Sequence, residues 1–599
     1  MTRSMKCALL VVGLTIGLPP LADEVAKGSV LMQAMRDELA RSMEQLQLAD
    51  AEKPYFLAYR VHETTSSNAS ASLGGLLNVS SGFGRQLVVE LRVGDYDFDN
   101  TNFMSMTRPT GMAPVVVSLS VDDNYDTLRR QIWLATDTAY KRAWDQLGAK
   151  RAALQNQTQV EKVPDFSREE PYQYDGLTQA GLDTEPISAL AVEVSAAMRG
   201  MAHLSRSEVR VGASLDRTWF VNSEGSEFVR ETPFVGLQAL AGSQADDGTE
   251  IQDAVAVRGR RWEDLPDAAT LVDRVRAMAG RLAERREAPY LDRYSGPVLF
   301  EGQAAAELVS QVLAPRLISF RLPTLDTPQA EQLLAQYRNP FLDKIGSRVL
   351  PRFLSVTTDA TLKEYEGVPL HGHQVVDDDA VPTRPILLIE RGALKTLLST
   401  RVPLAELPQS SGSRWRDTPM PSNLFVNATR GLEAEELNEE LFALVADFGV
   451  DHAVVVRRIG TRLARFDFGA GGAFSVGGES SRVEPLIEAY KVFPDGRKEL
   501  LRLASLPTIA ESDFKDIVAV SAATSLHDAG FSPASAAGMP GMIGGPSWPI
   551  SVSTPALLFE ELTVKRPTGS IPKPPVTPHP LAKTLQPTGT GGSGVRPDL

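Results

Sequence analysis

Two histidines and the carboxylates that follow them are the side chains of this sequence whose spacing best suits metal chemistry. The chain has seven histidines, and among them only His371 and His373 lie close together. Residues two apart on a strand share a face, so these imidazoles, with Asp377 and Asp379 nearby, could bind a metal ion. The plainer interpretation is the solvated, acidic end of a β-hairpin, and the sequence leaves both open.

A predicted strand–turn–helix is a second place where chemistry could be positioned. Residues 297–300 predict a short strand, Gly302 follows, and an alanine-rich stretch predicts a helix over 304–313. A hydrolase could hold catalytic side chains rigidly on such a helix. The polar or special residues available there are Ser310, Gln311 and Pro315, and none of them is a good metal ligand or general base.

Motifs for nucleophilic catalysis or phosphate binding are incomplete. Residues 512–515 read S-x-x-K, but the companion motifs of the enzymes that use this sequence are missing. The glycines of 469–478 do not fit G-x-G-x-x-G, and no helix is predicted after them that could bind phosphate. We interpret the first as a chance match and the second as a glycine-rich turn.

Length and charge narrow the class of protein. The chain has 599 residues, too many for one hydrophobic core, so we expect two or three domains. Apolar residues make up 43% and charged residues 23%, as is usual for a folded soluble protein. The net charge is −14, and no basic cluster with interleaved aromatic residues occurs. Nucleic acid is therefore an unfavourable partner.

The first 22 residues have the pattern of a secretory signal peptide. Arg3 and Lys6 precede a short apolar run over 8–18, and Ala22 offers a small residue for cleavage. The one cysteine of the chain, Cys7, would leave with this segment, so a mature chain starting at residue 23 would contain no thiol or disulfide. The alternative is a buried N-terminal helix. No later apolar run is long enough for a transmembrane helix.

The periodicity of the remaining chain changes near its middle. Residues 23–292 predict an α/β domain with a mixed sheet and flanking helices, and residues 293–565 predict a mainly antiparallel β domain, so the fold class is α+β. The predicted helices cover 25–46, 122–150, 184–199, 271–287, 304–313, 331–336 and 434–448. Ser66 to Gly84 is predicted as a strand with loops, and the Pro- and Gly-rich tail 566–599 as disordered.

Several segments in a shared order resemble the TldD/PmbA family, which is described as metallopeptidase-like and as modulators of DNA gyrase. The segments similar to its secreted branch and to its N-terminal domain are residues 54–61, 92–96, 99–103 and 222–225. In the second half, residues 377–382 resemble the family's D-D-E-G-V-P, residues 468–472 its G-G-G-Q, and residues 488–496 its E-A-Y-L-I-x-x-G. The resemblance extends over most of residues 54–565.

The resemblance also implies what this chain lacks. Active members carry H-E-x-x-x-H after a G-x-A-A segment and a cysteine near the C-terminus; two imidazoles and a thiolate bind zinc, and the glutamate deprotonates its bound water. Ser310 stands at the first histidine, Gln311 at the glutamate and Pro315 at the second histidine, while the place of the cysteine falls near Gly541. The zinc motif is therefore degenerate, and we expect no catalytic residue, no metal and no cofactor in this chain.

Together these observations lead to a functional hypothesis with two alternatives. By resemblance, the chain is a pseudo-peptidase: a non-catalytic subunit of a homo- or hetero-dimer with a TldD/PmbA-like relative, secreted into the bacterial periplasm. Zinc is expected only in a partner that bears the motif, and unfolded peptide is the expected substrate of the dimer. The alternatives are an active metallopeptidase with a relocated site at His371 and His373, and an envelope protein that binds peptides alone.

Overall fold

The computed structural model describes residues 29–49, 51–105, 114–155, 163–178, 181–463, 483–532, 548–567 and 580. The predicted signal peptide, Gly541, the glycines of 469–478 and nearly all of the tail 566–599 lie outside these ranges. Across the ranges that are described, no helix has the length and apolar character needed to cross a membrane.

The N-terminal half is built around one seven-stranded sheet. Its helices and strands, in chain order, are α1 (Val30–Gln45), β1 (Pro54–Ser72), β2 (Gly75–Val93), β3 (Phe103–Met104), β4 (Val115–Ser118), α2 (Tyr125–Leu154), β5 (Gln173–Gly176), α3 (Pro186–Ala196), β6 (Leu204–Asn222), β7 (Glu227–Gln244), β8 (Glu250–Gly259) and α4 (Ala268–Glu287). The strand order is β4-β2-β1-β6-β7-β5, with β8 beside β7. All neighbours are antiparallel except β5, which runs parallel to β7, so the predicted mixed sheet is present.

Two hydrophobic cores cover this sheet because its strands alternate apolar and polar residues. One core joins α1 and α2 to the sheet, with Met35, Leu57 and Ile132 fully buried. The other joins α3 and α4 to the far halves of the long strands through residues such as Ala191 and Val275. Burial of apolar side chains of this size stabilises each helix on the sheet by about 1.5–3 kcal/mol per residue.

The long hairpin of β1 and β2 turns through two residues in the left-handed region. Leu73 has φ 52° and Gly74 has φ 81°, which is the conformation of the two-residue turn that suits the twist of paired strands. A Cβ at Gly74 would lie 2.3 Å from an Nη of Arg199, so the end of that side chain would have to move, and the positive φ itself favours glycine there. The segment predicted as a strand with loops over 66–84 is therefore a continuous hairpin, and that part of the prediction was wrong.

The C-terminal half is a ten-stranded sheet with few helices. Its elements are β9 (Arg293–Phe300), α5 (Gln303–Leu308), β10 (Thr324–Leu325), α6 (Pro328–Ala335), β11 (Leu354–Thr358), β12 (Glu364–Tyr365), β13 (Val368–Pro369), β14 (Ile386–Glu390), β15 (Ala393–Leu394), β16 (Arg414–Trp415), β17 (Thr418–Pro419), β18 (Asn423–Ala428), α7 (Ala434–Asp447), β19 (Ala453–Ile459), β20 (Leu486–Val492), β21 (Lys498–Leu500), β22 (Ile517–Phe531) and β23 (Trp548–Lys565). The order is β15-β14-β11-β18-β23-β9-β19-β20-β21, with β22 beside β23.

The pairing in this second sheet is mainly antiparallel. Only β18 with β23 and β19 with β9 run parallel among the described strands of the sheet. Helix α5 and the turns after it pack inside the main core of this half, where Phe300, Val309 and Leu313 are buried. The predicted α+β class, with its mixed and antiparallel sheets, is confirmed.

Candidate functional site

The helix that follows β9 changes its geometry where the sequence places the degenerate positions. Helix α5 ends at Leu308, a π-helical turn covers Val309–Leu313, and a 3-10 turn covers Ala314–Arg316. The N–H of Ala314 donates to the carbonyl of Val309, a bond between residues five apart. The sequence predicted an uninterrupted helix over 304–313, so the π turn is a correction to it.

The π turn changes the helix geometry around positions 310 and 315. An α-helix advances about 100° per residue, so side chains five apart point about 140° away from each other. A π turn takes more than four residues and rotates less per residue than an α-helix, and such turns are often found at functional sites. Ser310 lies in the π turn, whereas Pro315 lies in the 3-10 turn after it. Neither residue supplies a metal ligand.

Gln311 is fixed in place by hydrogen bonds at both ends of its amide. Its Nε2 donates to Oε2 of Glu307 at 2.8 Å and to the carbonyl of Gly460 at 2.9 Å. Its Oε1 accepts from the backbone N–H of Glu484 at 2.8 Å. Gln311 is thus a buried structural bridge between α5 and two neighbouring segments. The hydroxyl of Ser310 is also buried and lies within hydrogen-bonding distance of no described group.

Glu307 is a titratable group of this region that the sequence reasoning missed. It is fully buried, and burial raises its pKa to about 7, although Gln311, Thr461 and the N–H of Gly530 oppose the rise. Its Oε1 has no partner at hydrogen-bonding distance in the described parts of the chain. The spacing of four between Glu307 and Gln311 on one helical face was the signal that could have found this pair.

Other titratable side chains surround the start of the same helix. A Cβ built at Gly302 would lie 3.5 Å from Nε2 of His527, which places that imidazole at the N-terminal end of α5. Burial lowers the pKa of His527 and favours the neutral ring. Burial also lowers the pKa of Arg258, against the opposing attraction of Asp528 and Glu307. An acid on α5, a guanidinium on β8 and an imidazole on β22 therefore lie around this helix, with Glu307 fully buried and Arg258 and His527 half-buried.

The two neighbouring histidines have separate partners. Nε2 of His371 lies 3.0 Å from Oδ2 of Asp528, and its backbone N–H donates to Ser551. Nδ1 of His373 lies 3.1 Å from the carbonyl of Ala360, and burial lowers the pKa of this imidazole. The structure thus orients His371 and His373 toward different groups instead of toward one shared ion.

The three aspartates after these histidines are buried, and protein donors occupy them. The carboxylate of Asp377 accepts the N–H groups of Asp379, Val381 and Arg414, while burial and the nearby Asp379 raise its pKa. Asp379 accepts from Nη1 of Arg414 at 2.5 Å. The sequence placed these carboxylates at a solvated hairpin end or at a metal ion. The structure instead places them in a buried connection between the two halves.

Asp378 makes one of the ion pairs that join the two halves. Its Oδ1 accepts from Nη2 of Arg230 on β7 at 2.6 Å, and its carbonyl accepts from Arg60 on β1. These guanidinium groups hold the pKa of Asp378 far below its usual range. Arg401 similarly pairs with Glu224 at 2.6 Å, which ties the loop after β15 to the turn between β6 and β7.

The donor set of the helix does not fit zinc. Zinc sites use imidazole, thiolate and carboxylate ligands, whereas positions 310, 311 and 315 offer a hydroxyl, an engaged amide and a ring without a donor atom. Over the described ranges, no three side chains of His, Cys, Asp or Glu come together as metal ligands do. Gly541, where the resemblance places the cysteine, lies outside those ranges.

Comparison with known proteins agrees with this architecture. Residues 293–481 match the family model of the PmbA/TldA metallopeptidase C-terminal domain. This segment is therefore similar to the PmbA/TldA C-terminal domain, which confirms the resemblance to the TldD/PmbA family. A search among curated proteins found no match.

Solved structures extend the similarity in fold to most of the chain. TldE from Thermococcus kodakarensis aligns at a TM-score of 0.53 and 15% identity, covering 89% of this chain and 100% of its own. A proposed modulator of DNA gyrase from Bacteroides thetaiotaomicron aligns at 0.54 and 12%, covering 91% and 99%. Another from Thermotoga maritima aligns at 0.52 and 15%, covering 85% and 96%. At these identities the similarity shows the fold alone.

Proposed function

We propose that this chain is a pseudo-peptidase, a non-catalytic subunit that acts with a zinc-bearing TldD/PmbA-like relative in the proteolysis of unfolded peptides. The observation that carries the proposal is the set of side chains on the π-helical turn and directly after it. Ser310 in this turn and Pro315 just after it stand where the resemblance places two histidines, and neither can hold zinc. Gln311, at the position of the base, is committed to three hydrogen bonds and has no basic oxygen.

The surrounding fold supports a role that depends on shape. The chain forms both sheets, the buried aspartate segment and the ion pairs between its two halves. It can therefore present a complete surface to a partner. In this proposal the zinc and the base come from the relative, and this chain completes the chamber that receives the peptide. This chain forms the dimer with that relative, or with a second copy of itself within a larger assembly.

The relocated metal site is the less favoured enzyme hypothesis. It would require His371 and His373 to turn toward one ion, whereas their rings lie against Asp528 and the carbonyl of Ala360. Turning these two rings toward one ion would still leave Asp377 bound to backbone N–H groups and Asp379 bound to Arg414.

A stand-alone peptide-binding function is favoured by one observation. An open cleft of about 570 Å³ lies between Tyr96, Phe166, Arg168 and the loop over 403–409. Aromatic and proline side chains in this cleft could contact an extended peptide, and Arg168 lies over the Tyr96 ring with its guanidinium carbon 3.7 Å from the ring centre. A stable lone monomer with peptide affinity would favour this function over the pseudo-peptidase.

The proposed location is the periplasm, reached through cleavage near residue 23. The basis is the charged start, the short apolar run and the position of Cys7 ahead of the cleavage site. Intact mass measurement on protein from the envelope tests it. The expected mass begins near Asp23, and a chain that retains residues 1–22 in the envelope would contradict the proposal.

The decisive experiment mixes the purified chain with a relative from the same envelope that has an intact H-E-x-x-x-H motif. We expect no cleavage of unfolded casein by this chain alone and metal-dependent cleavage by the mixture. A relative whose motif glutamate is replaced by glutamine is the control, and its mixture should be inactive. If the lone chain degrades casein and a chelator stops it, the pseudo-peptidase proposal fails and the relocated site replaces it.

A further inference from the structure

The outer half of the β1–β2 hairpin carries no charge. From Thr64 to Gly84 there is no acidic or basic side chain, in a chain of which 23% is charged. The flanking charges, Glu63 and Arg85, are buried and paired with each other, and Arg85 also contacts Asp123 at 2.9 Å. The hairpin therefore projects an uncharged surface from a protein whose net charge is −14.

The free edge of this hairpin is β2. Strand β4 pairs with β2 only over Gln86–Val89, and no described strand lies along the edge between Gly75 and Arg85. Every residue from 75 to 84 is exposed, including Val79 at 52% and Phe83 at 43%. Soluble proteins usually protect such an edge with lysine, proline or another element, and this edge has no lysine or proline.

Two exposed apolar side chains of this edge, Val79 and Phe83, share one face of the sheet. Val79 lies opposite Ala69, and Phe83 lies opposite Thr65, on the face where Ala69 and Ala71 pack against α3. Opposite residues of an antiparallel pair project from the same face. The core beneath α3 thus continues outward into exposed Val79 and Phe83, and it ends at the open edge of the strand.

The sequence of this edge is complementary to itself. When two copies of β2 are set antiparallel about Ser81, Val79 of each copy lies opposite Phe83 of the other. The same register sets Ser80 opposite Gly82 and Asn78 opposite Gly84, and a Cβ at either glycine would meet no atom within 4 Å. Pairs of aromatic and β-branched residues are among the favourable cross-strand pairs.

We propose that the edge of β2 pairs antiparallel with the same edge of a second copy of this chain, about a two-fold axis at Ser81. A symmetric pairing uses each favourable contact twice. It also joins two chains of net charge −14 through a long segment that carries no charge, so like charges do not meet there. The contact goes beyond the proposed function, because it needs neither the zinc-bearing relative nor a substrate.

The first test measures the mass of the purified full chain in solution by sedimentation. We expect the wild-type chain to sediment as two copies and the double variant Val79→Lys with Phe83→Lys as one. Val368→Lys is the matched control, since Val368 is 49% exposed in the hairpin of β12 and β13, and it should remain a dimer. Circular dichroism establishes that each variant is folded. A wild-type monomer, or a double variant that stays dimeric, would overturn the proposal.

The second test determines the register by disulfide formation in a Cys7→Ser background. Ser81→Cys should cross-link to itself, because residues directly opposite have Cα atoms about 4.5–5.5 Å apart. Val79→Cys alone should not cross-link, whereas a mixture of Val79→Cys and Phe83→Cys should. Cross-linking of Val79→Cys alone, with none at Ser81→Cys, would overturn the register. If the chain stays monomeric and binds lipid vesicles or unfolded peptide through the hairpin, the assignment of a second copy as the partner is wrong.

Discussion

Arg230 and Asp378 form a buried ion pair of 2.6 Å that joins the N-terminal sheet to the acidic segment of the C-terminal half. Both side chains are almost inaccessible to solvent. A second connection lies at the other side of the sheet, where Asp253 on β8 accepts from Arg458 on β19 at 2.7 Å. Because such pairs are stable only with both partners in place, the two halves are held in one relative position.

Removing the carboxylate of Asp378 should destabilise the protein strongly. In Asp378→Ala, Arg230 stays buried without its partner, and breaking a buried pair in this way costs about 3–5 kcal/mol. Chemical denaturation followed by circular dichroism measures the loss. The control is Asp343→Ala, whose carboxylate is 67% exposed beside Arg338 and should cost less than about 1 kcal/mol. Equal effects of the two variants would contradict the assignment of Asp378 as a structural link.

Glu307 should make stability fall as the pH rises. Its pKa is raised to about 7 in the folded chain, from an ordinary value of 4.5, so the folded state favours the protonated acid. The free-energy cost of ionising Glu307 in the folded chain is absent below about pH 4.5. It grows from there to about pH 7 and then stays constant. The difference amounts to roughly 3 kcal/mol for a shift of this size.

The variant Glu307→Gln tests this dependence, because glutamine resembles the protonated acid and can still accept from Gln311. Relative to wild type, its free energy of unfolding should increase across that pH window. Glu440→Gln, on the exposed face of α7, is the control and should follow wild type. Parallel curves for wild type and Glu307→Gln would show that folding does not raise the pKa of Glu307.

Zinc should be well under one equivalent per chain. A hydroxyl and an engaged amide do not compete with water for zinc, and no cysteine besides Cys7 is available. Elemental analysis after mild dialysis measures the content. If zinc is found, and His371→Ala with His373→Ala removes it, the relocated site is correct.

Restoring the histidines and the glutamate should not restore hydrolysis. The variant with Ser310→His, Gln311→Glu and Pro315→His still lacks the cysteine that the resemblance places near Gly541. It also loses the Gln311 amide that donates to Gly460 and Glu307. Casein cleavage by this variant alone, stopped by a chelator, would show that three positions are sufficient.

Gly372 should not tolerate a side chain. A Cβ there would lie 2.3 Å from the backbone carbon of Ser422, so Gly372→Ala forces two backbone segments apart and should cost about 1–3 kcal/mol or more. Gly280→Ala should instead stabilise the protein. No atom lies near that position within α4, and alanine favours a helix over glycine by about 0.5–1 kcal/mol. Thermal unfolding of both variants checks the pair, and a neutral Gly372→Ala would contradict the close approach.

The sequence predicted most helices because their apolar residues recur with a local period. The helix predicted over 122–150 is observed at Tyr125–Leu154, and that over 434–448 at Ala434–Asp447. The hairpin over 66–84 was missed because its serines and glycines lack a clear alternation of apolar and polar residues. Pairing with β6 on one side holds this segment as a strand, and no local pattern reports such a partner.

Only part of the candidate site could be predicted, again because a local pattern does not show which distant segments pack against it. Ser310 and Gln311 lie in a buried helical segment after β9, within the predicted helix over 304–313, whereas Pro315 lies in the 3-10 turn beyond it. The cluster around that helix was not predictable, since Arg258 and His527 come from distant strands and approach Glu307 and Gly302, respectively, only in the folded chain. The aspartates were placed in solvent because acidic runs usually are, and the arginines that bury them lie about 150–320 residues earlier in the chain.

The π-helical turn at Val309–Leu313 has a consequence for how this protein can change by mutation. A single nucleotide can exchange one side chain for another, whereas a turn with an extra residue is removed only by the in-frame loss of a codon. Deleting one codon there would restore a regular helix and rotate everything after it by about 100°. The backbone shape is therefore harder to lose by mutation than any ligand placed on it, and gains of function at this helix need only substitutions.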